Sequence, residues 1–303
     1  MNRIVAVVVT CNRKNMLEQC VEHLLLQTAS CDVLIVNNAS TDGTAEYLKT
    51  LKKNKKIHVI TSGKNLGGAG GFNLGIRRAV ECGYEYIWVM DDDTLPEKDA
   101  LGKLLEADEA LNGDYGFLSS VVLWKDGKGC EMNRQKMKKN FYEDVSLLNK
   151  SLIPVEQATF VSMFIKTETV KKAGLPVKEF FIWGDDLEYT RRIAVRMKMP
   201  CYLVGKSQVV HAMRNNNGSC IATDVPERID RYRYAYRNEN FAYRYEGIGG
   251  IIYYIAKCGF NILKIWIKGD NFRLRRSWVV LSQMFAGFRF NPKIEMISGG
   301  NNV

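Results

Sequence analysis

Three consecutive aspartates, Asp91, Asp92 and Asp93, follow directly on an apolar run over residues 86–90. Carboxylates this close repel one another unless a positive charge neutralises them, and a bound divalent cation is the natural partner. Oxygen ligands of this kind suit Mn2+ or Mg2+, ions that keep positions open for phosphate oxygens, so a diphosphate-bearing substrate is expected. A second pair, Asp185 and Asp186, stands behind the aromatic stretch 180–183 at the start of a helical pattern. Apolar walls raise a carboxylate's pKa and strengthen it as a general base. The alternative is that one of the two caps the helix, with Glu188 favouring its dipole. His211 is one of three histidines and ends an apolar run that begins at Cys201. An imidazole there either packs or completes a metal shell begun by the aspartates.

The elements that must position these groups alternate in type. Residues 4–9 form a continuous β-branched run, and Met16, Leu17, Cys20, Val21, Leu24 and Leu25 then recur at helical spacing. A strand over 33–36 and a helix over 45–51 follow, the latter capped by Asp42 or Thr41, and then a strand over 57–60, a helix over 67–79 and a strand over 86–90. Such alternation predicts an α/β fold, with a mostly parallel sheet covered by helices on both faces. Ligands in open α/β sheets sit at the carboxyl ends of the strands, where residues 10–13, 37–42 and 91–93 fall. Two common nucleotide motifs fail here. The turn after the first strand has no glycine and Asn73 stands where a dinucleotide fingerprint needs its third Gly, while Pro200 stands where a Walker A loop ending in Gly205-Lys206-Ser207 needs its first.

Taken in order, residues 8–13 (VVTCNR), 36–43 (VNNASTDG), 65–72 (NLGGAGGF), 90–94 (MDDDT), 183–189 (WGDDLEY) and His211 resemble the motifs of an inverting family 2 glycosyltransferase of the GT-A fold, a Rossmann-like architecture. The glycine-rich and Asp-Asp-x-Glu-Tyr stretches are most similar to bacterial galactofuranosyltransferases, with rhamnosyltransferases as near relatives. This resemblance implies that Asp91, Asp93 and His211 hold Mn2+ or Mg2+ on the diphosphate, that Asp92 lies near the ribose, and that Asp186 is the general base. It further implies nucleotide contacts from Thr10, Arg13, Asn38 and Asn65, close backbone approach to the donor at Gly67, Gly68, Gly70 and Gly71, and an acceptor lying against Trp183, Asp185 and Glu188. The expected substrates are UDP-galactofuranose, with dTDP-rhamnose second, and a glycan or lipid-linked acceptor in surface polysaccharide synthesis. One departure bears on the base: Asn37 and Asn38 stand where many relatives carry Asp, and an amide can still bond a uracil or thymine edge.

With 303 residues, 46% hydrophobic and 25% charged, the chain can bury a full core, which excludes disorder. Eight scattered cysteines with no C-x-x-C pair read as reduced thiols. The amino terminus reads as a buried strand rather than a secretory signal, and a cytosolic chain is expected. Residues 1–225 form the expected catalytic domain and 226–303 a basic helical region, with 13 basic and 6 acidic residues that carry +7 of the formal +10. Within it, residues 248–267 read as an amphipathic helix with Lys257, Asn261, Lys264 and Lys268 on one face. With Arg273, Arg275 and Arg276 following, that helix would lie on the anionic inner face of the cell membrane, or else pack within the protein or a homo-oligomer. The interleaved arginines and tyrosines of 228–237 also suit nucleic acid, but an acidic crevice repels a phosphate backbone and no nucleic-acid partner is expected. A metal-dependent phosphohydrolase or nucleotidyltransferase is the other class that could use the same aspartates.

Overall fold

The computed structural model describes residues 3–269 and 271–297. Its first half alternates as expected: β1 (Ile4–Thr10), α1 (Lys14–Leu25), β2 (Asp32–Asn37), α2 (Thr44–Leu51), β3 (Ile57–Thr61), α3 (Gly67–Glu81) and β4 (Tyr86–Asp91). The run of valines in β1 is buried on both faces, as a central strand covered by helices on either side requires. Strands β3, β2, β1 and β4 lie side by side in parallel.

The chain continues through β5 (Thr94–Pro96), α4 (Ala100–Ala110), β6 (Phe117–Leu123), β7 (Lys136–Met137), α5 (Val145–Asn149), β8 (Leu152–Gln157), β9 (Met163–Lys166), α6 (Thr167–Ala173), α7 (Asp185–Arg191) and β10 (Tyr202–His211). The sheet extends from β4 in the order β9, β6, β10, β8, β7. This half is mixed: β6 and β10 run parallel, whereas β9 opposes both its neighbours and β8 opposes β10. The short strand β5 pairs antiparallel with the end of β10, setting Thr94 opposite His211, and Ala212 N–H donates to Asp93 O at 2.8 Å. That register brings His211 to an aspartate far from it in sequence.

Glycine explains how closely α3 sits on the sheet. A Cβ on Gly71 would come to 2.4 Å of Val9 Cγ1, and one on Gly75 to 2.5 Å of Val7 Cγ1. No disulfide joins the cysteines among the described residues.

Three helices complete the chain: α8 (Tyr232–Arg244), α9 (Ile248–Lys268) and α10 (Arg273–Arg289). Their core of Tyr232, Tyr236, Tyr254, Cys258, Ile265 and Val280 also takes in Leu187 of α7 and Ile221, so packing is continuous across residue 226. The segment beyond α10 turns back onto α3, where Glu295 binds Arg77 at 2.5 Å and also pairs with Lys178. The orientation of α9 shows what its lysines do. Lys257 and Lys264 are half-buried: Lys257 donates to Glu239 at 2.8 Å and Lys264 reaches Cys220. Arg276 is buried, donating to the carbonyls of Ile221 and Asp224. Lys257 and Lys264 thus pack against half-buried partners, and the apolar face of α9, including Ile248, Ile252, Phe260 and Ile267, is exposed.

Candidate functional site

The crevice forms where β1, β2 and β4 end. Its rim loops are fastened to one another: Asn12 Oδ1 accepts from Thr41 N–H at 2.6 Å, and Asp42 accepts from Lys14 N–H at 3.0 Å. Asp42 does not cap α2; Gly43, at φ +86°, occupies that position.

At the end of β4, the nearest ligand atoms of Asp91, Asp93 and His211 all lie within 4.8 Å of one another. His211 Nε2 donates to Asp93 Oδ1 at 3.0 Å, and its Nδ1 donates to Asn133 Oδ1 at 2.7 Å. Arg13 reaches across with Nη1 2.7 Å from Asp93 and 3.1 Å from Asp92. Burial, then the charge of Asp93, raises Asp91 to about 7. Burial pushes Asp93 up as well, but its hydrogen bond from His211 and the nearby cations outweigh this and hold it at about 2. Burial likewise opposes charge on His211, yet the hydrogen bond to Asp93 and the surrounding carboxylates raise it to about 10. Arg13 and an imidazolium therefore balance the aspartates in this arrangement. Two carboxylates and one imidazole are a donor set that fits Mn2+ or Mg2+, and Asn133 fixes the ring so that Nε2 faces the cluster.

Asp185 and Asp186 open α7, but neither caps it; Gly184, at φ +87°, is the cap and offers no side chain. Asp185 is buried, and desolvation followed by the charge of Asp186 raises its pKa well above normal, with Asp91 adding to the effect. Asp186 is half-buried and raised to about 6, chiefly by burial. Its Oδ1 accepts from Leu187 N–H at 2.7 Å. A half-buried carboxylate of raised pKa has the chemistry of a general base at neutral pH.

Several residues expected at the ligand are placed in support of it. Thr10 is buried and spends its hydroxyl on Asp92 at 2.7 Å; Asp92 is buried as well, with its other oxygen on Arg13. Asn38, also buried, donates to Asn65 Oδ1 and Gly67 O and accepts from Leu66 N–H at 2.8 Å, so its amide shapes the 62–67 loop. Asn65 itself is exposed at the rim, with Nδ2 3.6 Å from Cys11 Sγ. Of the four glycines, Gly67, Gly70 and Gly71 are required by packing, since a Cβ would strike Phe181 O, Leu66 or Val9; Gly68 alone faces open space. Trp183 lies at the junction with the C-terminal helices, edge-on to Tyr232 and under Arg228. Glu188 is turned away from the crevice: it is buried, with both carboxylate oxygens on Arg192 just past the end of α7, and this (i, i+4) pair satisfies both charges. Asn133 went unrecognised in the sequence because no periodicity or spacing links it to His211.

A sequence profile for the family described as Glycosyl transferase family 2 matches residues 5–164, which span β1 to β9 and include the aspartate cluster. The chain belongs to glycosyl transferase family 2. Among the relatives of this family 2 chain, galactofuranosyltransferase GlfT1 of Mycolicibacterium smegmatis is 26% identical over 258 residues, covering 81% of this chain and 84% of that protein. The fold of the family 2 chain is also that of solved glycosyltransferases. The structure of GalNAc-T7 with UDP, GalNAc and Mn2+ aligns at TM-score 0.67 and 12% identity, over 95% of this chain and 56% of that one. Mannosyltransferase PcManGT of Pyrobaculum calidifontis, in complex with GDP-Man and Mn2+, aligns at TM-score 0.57 and 18% identity, over 96% of this chain and 76% of that one. The architecture is therefore GT-A.

Proposed function

We propose that this enzyme is an inverting, metal-dependent galactofuranosyltransferase that moves the sugar of UDP-galactofuranose to a hydroxyl of a glycan or lipid-linked acceptor in bacterial surface polysaccharide synthesis. The observation that carries the donor is the likeness to galactofuranosyltransferase GlfT1 over 81% of the chain.

In this reading the acceptor hydroxyl gives its proton to Asp186 as its oxygen attacks the anomeric carbon. The bond from that carbon to the diphosphate breaks on the opposite face, so one displacement inverts the centre. Arg13, more than half exposed above Asp92 and Asp93, can turn its guanidinium onto the diphosphate oxygens. A divalent cation held by Asp91, Asp93 and His211 would neutralise charge on the departing diphosphate. Asn65 and Gly68 border the donor, and Trp183 and Asp185 the acceptor.

A panel of nucleotide sugars tests the donor. UDP-galactofuranose should show the tightest Mn2+-dependent binding and measurable slow hydrolysis. Tighter and productive use of dTDP-rhamnose would make the enzyme a rhamnosyltransferase, and phosphate release from nucleotides in the absence of any acceptor sugar chemistry would move it to the phosphohydrolases.

The acceptor is reached at the inner surface of the cell membrane. Helices α9 and α10 expose many large apolar side chains, among them Ile252, Phe260, Trp266, Leu274, Trp278 and Phe285. By length and composition α9 could cross a bilayer, but crossing would separate Lys257 from Glu239 and strip Tyr254 and Ile265 from their core. Shallow insertion keeps those contacts. Residues 248–289 carry seven basic side chains against one acidic, and exposed Lys268 and Arg273 border the apolar face. Each basic group close to anionic headgroups is worth about 1 kcal/mol, acting over a screening length of roughly 10 Å. Phe260→Ser combined with Trp278→Ser should abolish sedimentation with phosphatidylglycerol vesicles without lowering the Tm, and wild type should bind neutral vesicles weakly. Equal binding by the variant would remove this face from the membrane contact.

A further inference from the structure

Ahead of the Asp185–Asp186 pair the backbone is strained at two residues, Phe181 and Trp183. Phe181 has φ +64° and ψ −62°, and Ile182 N–H donates to Phe180 O at 2.7 Å across it. These are the angles and the bond of a γ-turn of the rare, strained hand, here centred on an aromatic residue. Trp183 at φ +63° and Gly184 at φ +87° follow at once, and Asp185 is the next residue. Strain of this kind persists only where the surroundings over-determine it.

What over-determines it is α8. Asn238 is completely buried, and its Nδ2 donates to Phe180 O at 3.0 Å, Ile182 O at 3.2 Å and Trp183 O at 2.7 Å. The orientation of that amide is set by Arg237, whose Nε and Nη2 lie 3.0 and 2.9 Å from Asn238 Oδ1. Arginine only donates, so the atom facing it must be the oxygen, and the amide nitrogen must face the loop. Arg237 also donates to Glu179 O at 2.9 Å. From the opposite side, Ala69 N–H at the start of α3 donates to Phe181 O at 3.2 Å, and Gly67 lies so close that a Cβ would come to 1.9 Å of the same oxygen. The loop is thus held between the helix that borders the donor and the first helix of the C-terminal region. That region is fixed in turn by Arg244 on the carbonyls of Gly287, Phe288 and Phe290.

We propose that Asn238, oriented by Arg237, is a positioning residue for sugar transfer: it holds the Phe181 γ-turn and the left-handed Trp183 and Gly184 in the one conformation that presents Asp186 to the acceptor hydroxyl. The inference rests on Asp186 being the base. It gives the arginine- and asparagine-bearing segment of α8 a role in the proton-accepting step, separate from attachment to a membrane.

The test is steady-state kinetics of full-length Asn238→Ala and Asn238→Asp beside Asp186→Asn, with UDP affinity measured in Mn2+ and folding followed by circular dichroism. The aspartate is nearly isosteric but cannot donate to the carbonyls when ionised. Both Asn238 variants should lose at least tenfold in kcat while UDP affinity and donor KM stay within threefold, and the acid limb of the kcat profile should move. A folded Asn238 variant with unchanged kcat, or one in which kcat and UDP affinity fall together, would overturn the proposal. If neither variant folds, Arg237→Ala decides, because its guanidinium is partly exposed: a threefold or larger loss of kcat at constant KM supports the proposal, and unchanged kcat refutes it. Near-normal turnover in Asp186→Asn would instead defeat the base assignment on which this rests, whereas an inactive Asp186→Asn beside a fully active Asn238 variant would defeat the positioning role alone.

Discussion

Asp186→Asn should bind UDP and metal as the wild type does and lose about 10²- to 10⁴-fold in kcat, the usual contribution of a positioned general base. The amide keeps the shape and the hydrogen bond from Leu187 N–H but cannot take a proton. The pH dependence follows from the raised pKa. Burial puts Asp186 near about 6, so kcat should fall as pH drops below that value rather than only near pH 4. The sign on stability is opposite. A carboxyl whose folded pKa lies above its unfolded one binds its proton more tightly when folded, so it loses stabilising effect as pH rises from about 4 to about 6. Removing that ionisable group should therefore stabilise the fold at pH 8 by an amount on the order of 1 to 3 kcal/mol, read as a higher Tm, and leave stability nearly unchanged at pH 4. A variant that is slower and more stable at neutral pH is the joint signature; near-normal kcat would place the base elsewhere. Asp185→Asn should be milder, because burial and two neighbouring carboxylates already favour its neutral form.

The two metal-site aspartates should behave alike toward metal and oppositely toward stability. Either Asp91→Ala or Asp93→Ala removes a ligand, and each should reduce Mn2+-dependent UDP affinity by at least about tenfold, with loss of transfer. Without metal, Asp93 bonds His211 and Arg13. Its loss removes the carboxylate that hydrogen-bonds the buried imidazolium, leaving Asp91 as its neighbouring charge, and breaking a buried pair of this kind costs about 3–5 kcal/mol. Asp91 has burial and the repulsion of Asp93 against it, so its loss relieves the metal-free protein. Thermal melting should accordingly show Asp93→Ala less stable and Asp91→Ala more stable than wild type, with the Mn2+-induced rise in Tm gone from both. His211→Ala should weaken metal binding less, since two carboxylates remain. A full Mn2+ response in both aspartate variants would remove the metal from this cluster.

The parts of the fold that announce themselves locally were legible in the sequence. The valines of β1 and the apolar stripe of α1 carry their periodicity in adjacent residues, and the aspartates after β4 mark a strand end. What was hidden depends on partners distant in the chain. The antiparallel β5–β10 pairing decides that His211 meets Asp93, and lateral strand order has no local signal. The resemblance implies room for the donor at Gly67, Gly68, Gly70 and Gly71, yet Gly71 is there because β1 presents Val9 to it. Asn38 lies at a strand end beside the nucleotide position, but its hydrogen bonds run inward to the 62–67 loop. On α9 the helical spacing and the apolar face were legible, but the packing of Lys257 was not, because its partner Glu239 lies on the preceding helix. Glu188 was misplaced for the same reason, its arginine being one turn further along a helix whose buried side could not be seen in advance.

The central claim, that a nucleoside diphosphate leaves with metal assistance while Asp186 activates the acceptor, is tested most directly by following one reaction by NMR. The enzyme is incubated with UDP-galactofuranose, a glycan acceptor and Mn2+, with and without a chelator, and the anomeric configuration of the product is read together with UDP release. The expected result is UDP release coupled to a product of inverted configuration, abolished by the chelator and restored by Mn2+. A product of retained configuration, or turnover indifferent to the chelator, would contradict it.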